Sequence, residues 1–283
     1  MSGSSERPSA RPALLVATIA SFIAPFMGAA VNVALPAVGA EFSLSAVSLG
    51  WVATSYILAS AIFLLPFGKL GDIHGRKRVF LAGNVLFTAS TLCCAISPSA
   101  GFLIGFRFAQ GIGAAMIFGT SVAIVTSVTA RAERGKALGI TVAATYLGLS
   151  LGPIVGGFLT HEFGWRSIFF CTAPLGALAG ALAAARLEGD WAAAKGEPFD
   201  APGALLYGVS LASLMYGFAR LPASGAGLLI AAGAAGIGAF AFWETRARAP
   251  LTGGSSIGRP GLTATRSTPA NSSARKVPVD TST

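Results

Sequence analysis

The stretch GKLGDIHGRKRVF, residues 68–80, is a short charged connection between two apolar runs of membrane length. Gly68 and Gly75 predict a tight chain reversal, because glycine adopts backbone angles that other residues avoid. Asp72 is placed either to pair with Arg76 four residues later or to cap a neighbouring helix. The basic residues predict a position beside an anionic membrane surface. We therefore expect a turn between two transmembrane helices.

The composition supports a membrane protein. Of the 283 residues, 53% are hydrophobic and 11% are charged, whereas a typical soluble domain has about 25% charged residues. Eight apolar runs each approach the roughly 20 residues that cross a bilayer. Backbone groups in lipid must be satisfied within their own segment, which predicts an all-α fold. The predicted helices are residues 13–36, 46–68, 79–97, 102–125, 137–160, 167–185, 202–219 and 223–243.

The remaining segments are polar connections and termini. Residues 1–12 predict a disordered N-terminus, residues 186–201 a polar linker, and residues 244–283 a tail that is mostly disordered from residue 252. Seventeen Lys and Arg residues fall on one side of the predicted helices and two, Arg166 and Arg220, on the other. The positive-inside rule therefore predicts that both termini, the linker and the 68–80 connection are cytoplasmic.

The formal charge of +9 does not indicate a nucleic-acid partner, because the basic residues are scattered among loops rather than gathered on one face. The lipid bilayer is the predicted partner. No metal-ligand spacing and no catalytic motif such as H-E-x-x-H occurs in the sequence, so neither a metal site nor an enzyme is predicted.

Three motifs resemble the major facilitator superfamily. The connection after the second helix matches its signature G-x-L-x-D-x-x-G-R-K at Gly68, Leu70, Asp72, Gly75, Arg76 and Lys77. The fourth helix is similar to its R-x-x-Q-G-x-G motif at Arg107, Gln110, Gly111 and Gly113. The fifth is similar to its antiporter motif G-x-x-x-G-P-x-x-G-G at Gly148, Gly152, Pro153, Gly156 and Gly157. The run from Asn32 to Pro36, with Trp51 and Tyr56, resembles the fourteen-helix drug:proton antiporter branch.

This resemblance, over residues 13–251, implies a fold and a function. It implies a six-helix bundle at residues 13–185, built from two inverted three-helix repeats, and two additional helices at residues 202–243. It also implies efflux of small amphipathic compounds across a plasma membrane, in bacteria the inner membrane, by alternating access. Transport of a small-molecule substrate requires that a second six-helix half completes the transporter. The sequence stops before such a half, which predicts a truncated transporter.

Several candidate site residues have two interpretations. Arg107 either faces a central cavity or extends towards the outer interface. The resemblance implies that Arg107 and Gln110 line the cavity, on a polar face that a lone bundle leaves open to lipid. Asn32 is either a substrate ligand or an interhelical hydrogen-bonding group. The motif around Pro153 shapes helix packing and can kink the helix.

The sequence also departs from the family pattern. Met27 stands where the branch often has an acid, Ala29 replaces a threonine, and Thr172 replaces an asparagine. No Asp or Glu lies in the apolar body of the first six helices, which argues against the proton gradient that the resemblance implies. No cofactor is predicted. The alternative function is a non-transporting membrane subunit or remnant that associates with another membrane protein.

Overall fold

The computed structural model describes residues 10–187, 189–247 and 250–251, which form eight α-helices. All eight are long and apolar enough to cross a membrane, so the predicted multi-pass, all-α fold is confirmed. The helices are α1 (Ala10–Phe42), α2 (Ala46–His74), α3 (Arg76–Ala95), α4 (Ala100–Val128), α5 (Arg134–Phe163), α6 (Arg166–Arg186), α7 (Ala201–Ala219) and α8 (Ala226–Glu244).

Side-chain caps define several helix starts. Ser45 accepts a hydrogen bond from the backbone N–H of Ser48, and Ser99 accepts one from Phe102. Asp200 accepts one from Gly203, at 3.0 Å. Each cap satisfies one of the N–H groups that a first helical turn leaves without a partner.

The connection after α2 is shorter than predicted. Helix α2 continues through His74 and α3 begins at Arg76, so Gly75 alone separates them, with a φ of 110°. Gly68 lies inside α2, and its predicted role in the reversal is wrong. The apolar run ends where the hydrocarbon ends, but a charged segment outside it can continue the helix.

The other predicted boundaries shift by at most six residues or lie outside the described residues. Helix α1 extends to Phe42, six residues beyond the predicted end at Pro36. Helix α1 starts at Ala10, three residues before the predicted start. The connection between α6 and α7 covers residues 187–200, close to the predicted linker. Disorder is predicted for residues 1–12 and for the tail from residue 252. Residues 10–12 belong to α1 instead, and residues 1–9 and 252–283 lie outside the described residues.

The six-helix bundle is held by close pairs of helices. Helix α1 packs most extensively on α5, α2 on α4, and α3 on both α4 and α6. Exchanging α1–α3 with α4–α6 maps the α1–α5 pair onto the α4–α2 pair. That correspondence fits two three-helix units. Their predicted inverted relation stays a prediction.

The two additional helices form a hairpin beside α2. A Cβ added at Gly233 would lie 2.6 Å from the backbone nitrogen of Leu214, so the glycine allows α7 and α8 to pack closely. The Tyr207 hydroxyl donates to the Ala61 carbonyl of α2 at 3.0 Å, and the rings of Tyr216 and Trp51 are 5.7 Å apart. The hairpin therefore contacts the bundle through α7.

Candidate functional site

A cavity of about 310 Å³ lies between α1, α2, α4 and α5. Its polar wall residues are Asn32, Tyr56, Ser60 and Arg107. The rest of the wall is mostly apolar, as at Phe118. Helices α1, α2, α4 and α5 are four of the six in the predicted transporter bundle. The cavity can hold a small molecule whose apolar surface is larger than its polar surface.

Arg107 is the largest fully buried side chain of the described residues, at 1% exposure. Its Nε donates to the Val52 carbonyl at 3.1 Å, and its Nη1 donates to the Gln110 side-chain oxygen at 2.6 Å. Its Cζ lies 4.3 Å from the centre of the Tyr56 ring. The side chain therefore points into the bundle, towards α2, and does not extend to the outer interface.

Gln110 lies behind Arg107 and does not line the cavity. It is fully buried, and its Nε2 donates to the Thr91 hydroxyl at 2.7 Å. Because Arg107 and Gln110 are covered by α2 and α3, the expectation that a lone bundle leaves them open to lipid is wrong. The arginine hydrogen-bonds to α2 and the glutamine to α3, which fixes both side chains.

Asn32 faces the same cavity in a different setting. It is exposed and makes no side-chain hydrogen bond with any other residue that the structure describes. Of the two interpretations of this residue, the interhelical hydrogen bond is not formed here. Its carboxamide is free to donate to a molecule in the cavity and to accept from it.

The glycines of the helix-five motif bring α5 against α1. A Cβ at Gly148 would lie 2.5 Å from the Phe22 carbonyl oxygen, and one at Gly156 would lie 2.7 Å from the Cα of Ala30. At Gly152 the nearest atom would be the Cβ of Ala29, at 2.6 Å. The structure thus explains the four-residue spacing by close helix packing.

The other two residues of the helix-five motif, Pro153 and Gly157, lie outside the close contact between α5 and α1. Pro153 is exposed, and Gly157 has room for a side chain, because a Cβ there would meet only Val33, at 3.5 Å. Ala29, which stands where a threonine is usual, is itself part of the contact with Gly152. A larger side chain at this position would compete for the same space.

Asp72 and Arg76 form an ion pair across Gly75, with 2.7 Å between Oδ1 and Nε. Arg76 Nη1 also donates to the Ala123 carbonyl and to the Ser127 hydroxyl, both near the end of α4. The pair thus connects the ends of α2, α3 and α4. Leu70 is half-buried in the last turns of α2.

The α6–α7 connection folds over this region, which the sequence did not predict. Lys69 pairs with Glu197, and Arg78 with Asp190, each at 2.7 Å. The backbone carbonyl of Asp72 accepts from Ala194 at 2.8 Å. A Cβ at Gly75 would lie 2.0 Å from an oxygen of the Asp190 side chain, which would have to move, and the φ of 110° favours glycine at this position.

Further contacts of the α6–α7 connection involve the first turn of α3. The backbone N–H of Arg76 donates to the Trp191 carbonyl at 3.0 Å. Lys77 donates to the carbonyls of Ala184 and Leu187 at the end of α6. The basic residues Arg76 and Lys77 of the motif are therefore occupied by contacts within the chain.

An ion pair between Arg166 and Glu41 lies at the opposite end of the bundle. Arg166 Nη1 and the indole Nε1 of Trp165 both donate to Glu41 at 2.7 Å. Arg166 Nη2 donates to the Ser97 carbonyl at 2.9 Å. These contacts connect the end of α1 with the α3–α4 and α5–α6 connections. Trp165 and Arg166 are adjacent in the sequence, but the acceptor they share lies 124 residues before Trp165.

Metal binding has no basis in the part of the chain that the structure describes, where no group of three or more His, Cys, Asp or Glu residues could hold an ion.

Comparison with known proteins matches residues 17–243 to the family model described as Major Facilitator Superfamily. The chain is 38% identical over 196 residues to the multidrug resistance protein Stp of Mycobacterium tuberculosis, covering 69% of this chain and 36% of that protein. It is 34% identical over 194 residues to the riboflavin transporter RibZ of Clostridioides difficile, covering 69% and 42%. It is 35% identical over 269 residues to the cephamycin export protein CmcT of Amycolatopsis lactamdurans, covering 91% and 55%. The chain thus spans between 36% and 55% of the length of these relatives.

Proposed function

Because this chain belongs to the major facilitator superfamily, we propose that it supplies one half of a transporter that exports small amphipathic compounds. The observation that carries the proposal is the cavity between α1, α2, α4 and α5, which combines Asn32 and Arg107 with an apolar wall. Two of the relatives, named as a multidrug resistance protein and a cephamycin export protein, support export as the direction.

The fourteen-helix drug:proton antiporter branch is the subgroup that we propose. The α7–α8 hairpin supports it, because a pair of additional helices follows the six-helix bundle and contacts it through α2. Coupling to a proton gradient would require a carboxylate outside the lining of this cavity, since its wall holds no Asp or Glu.

We further propose that the end of the bundle at Gly75 is cytoplasmic, as are both ends of the chain. The excess of Lys and Arg in the connections on that side supports this orientation. In a bacterium the membrane would be the inner membrane. The Asp72–Arg76 pair and the α6–α7 connection would then brace the cytoplasmic ends of α2, α3 and α4 during transport.

Transport by alternating access needs two bundles that move against each other around a site between them. The relatives extend well beyond the region that matches this chain, which is the basis for proposing a second bundle. We therefore expect that the chain alone inserts into a membrane and binds its substrate without transporting it. The alternative function, a non-transporting subunit, predicts no transport even when a second bundle is supplied.

Transport assays with and without a second bundle test this function. The chain is expressed in a bacterial strain without its major drug exporters, alone or together with the C-terminal part of the cephamycin export protein. Efflux of a fluorescent amphipathic dye is then measured in loaded cells. We expect efflux only from the combination, and its loss in Arg107→Ala. Absence of efflux from a combination that co-purifies would favour the non-transporting subunit.

A further inference from the structure

Arg107 carries a charge that none of its described neighbours neutralises. Its partners are the Val52 carbonyl, the Gln110 amide and the Tyr56 ring, all of them uncharged. The ion pairs among the described residues involve other cations and lie at the two ends of the bundle or in the connections. The guanidinium is therefore a buried cation without a counter-ion in the described part of the chain.

The four helices around the cavity have no acidic side chain near it. Their acidic residues are Glu41 in α1, Asp72 in α2 and Glu162 in α5, and α4 has none. Each of the three lies within the last three residues of its helix. Arg107 lies seven residues after the start of α4, which is about 10 Å along the helix. No side chain of these helices is placed to supply the missing charge.

A buried cation in an apolar setting is costly unless an anion pairs with it. Arg107 lines the cavity, and one of its terminal nitrogens, Nη2, makes no hydrogen bond to any described residue. This nitrogen can therefore donate to a bound molecule. The free carboxamide of Asn32 lies on the same wall. These groups provide donors, and the guanidinium provides charge, in a space bounded mostly by apolar side chains.

We propose that this cavity binds an amphipathic anion, with a carboxylate at Arg107 and an apolar body against the remaining wall. The proposal rests on the transport function only in that the anion would be the cargo, since binding itself requires only the cavity. Charge-assisted hydrogen bonds from a guanidinium to a carboxylate are stronger than those between neutral groups. The site should therefore distinguish an acid from an uncharged molecule of the same shape.

Equilibrium binding of two matched probes tests this selectivity. The full chain is purified in a non-ionic detergent, and radiolabelled naphthoate and its uncharged amide are compared at neutral pH by scintillation proximity. We expect the amide to bind at least about tenfold more weakly than the acid, the difference made by losing one charge-assisted contact. Equal affinity, or tighter binding of the amide, would overturn the proposal.

Three variants assign the selectivity to Arg107. In Arg107→Gln the preference for the acid should disappear, whereas in Arg107→Lys, which keeps the charge, it should remain. Arg220→Gln is the matched control, because Arg220 also stacks on a tyrosine, Tyr216, but is exposed. A preference that persists in a folded Arg107→Gln protein, or is lost in Arg220→Gln, contradicts the assignment. If Arg107→Gln does not fold, loss of the preference in Arg107→Lys would contradict it.

The two proposals fail in different ways. A chain that prefers the acid but never supports efflux with a second bundle would retain the anion site and refute the transport function. A combination that exports the dye while its cavity binds acid and amide equally would retain the transport function and refute the anion site.

Discussion

Lys69 in α2 and Glu197 in the α6–α7 connection form an ion pair of 2.7 Å although they are 128 residues apart. Lys69 is only 6% exposed, whereas about half of the Glu197 side chain is exposed. The Glu197 carboxylate therefore provides the counter-ion for a lysine that is almost excluded from water. This contact holds the α6–α7 connection over the Asp72–Arg76 pair.

Glu197→Gln should release the α6–α7 connection. Without the carboxylate, Lys69 becomes an almost buried charge without its partner, which favours local opening. We expect trypsin to cleave after Lys195 several-fold faster than in the parent chain, as measured by gel electrophoresis of purified protein. The matched control is Glu162→Gln, which removes an acid whose partner, His161, is exposed. An unchanged rate at Lys195 would show that the ion pair does not restrain the connection.

Alanine at Gly152 and at Gly157 should have opposite consequences. A Cβ at Gly152 would lie 2.6 Å from that of Ala29, whereas one at Gly157 would meet only Val33 at 3.5 Å. We expect Gly152→Ala to lower the free energy of unfolding by about 1–3 kcal/mol through overpacking. Gly157→Ala should be neutral or stabilising by up to about 1 kcal/mol, because alanine favours the helix. Denaturant titration in detergent compares them, and equal effects would contradict the packing explanation.

Gln110→Glu should provide Arg107 with a counter-ion from within the chain. The glutamine oxygen already lies 2.6 Å from Nη1, so a carboxylate at this position would be an immediate counter-ion. We expect the preference for naphthoate over its amide to fall by about tenfold, because the anion then competes with an internal partner. Gln110→Met, which keeps the length of the side chain without adding charge, is the control. A full preference in Gln110→Glu would mean that the anion binds elsewhere.

Asp72→Asn should impair transport without preventing insertion. The asparagine keeps a hydrogen-bond acceptor for Arg76 but removes the negative charge of a pair that connects α2, α3 and α4. In the combination with a second bundle, we expect efflux to fall several-fold while the amount of chain in the membrane fraction is unchanged. Asp190→Asn, which affects only the exposed Arg78, should have a smaller effect. Normal efflux in Asp72→Asn would show that this loop only anchors the chain at the membrane surface and has no role in transport.

Labelling with a membrane-impermeant thiol reagent tests the orientation. Cys93, Cys94 and Cys171 are first replaced, and single cysteines are introduced at Ala223, in the α7–α8 connection, or at Ser267. In intact cells the reagent should reach position 223 and not position 267, because the positive-inside rule places the latter in the cytoplasm. Permeabilised cells provide the control, in which both positions should react. Labelling of Ser267→Cys in intact cells would contradict the predicted orientation and place the tail outside the cell.

The sequence by itself determined the helices. A helix in lipid satisfies its backbone within its own segment, so length and apolarity carry enough information to locate it. This reasoning found all eight described helices, but it ended α1 and α2 six residues too early, at Pro36 and Gly68. Hydropathy reports where the hydrocarbon ends, whereas a helix ends where its backbone angles change, here at Gly75.

Only the tertiary structure decided the setting of the charged residues. Arg107 could have faced lipid, solvent or the bundle. Its pairing with Gln110 follows a local spacing, but its contacts with Val52 and Tyr56 lie on another helix, to which no local pattern connects it. The Lys69–Glu197 and Arg166–Glu41 pairs likewise join residues more than a hundred positions apart. Such contacts depend on how the helices pack and on the path of their connections. Apolar length is a local property of the chain, but the partner of a charge is not.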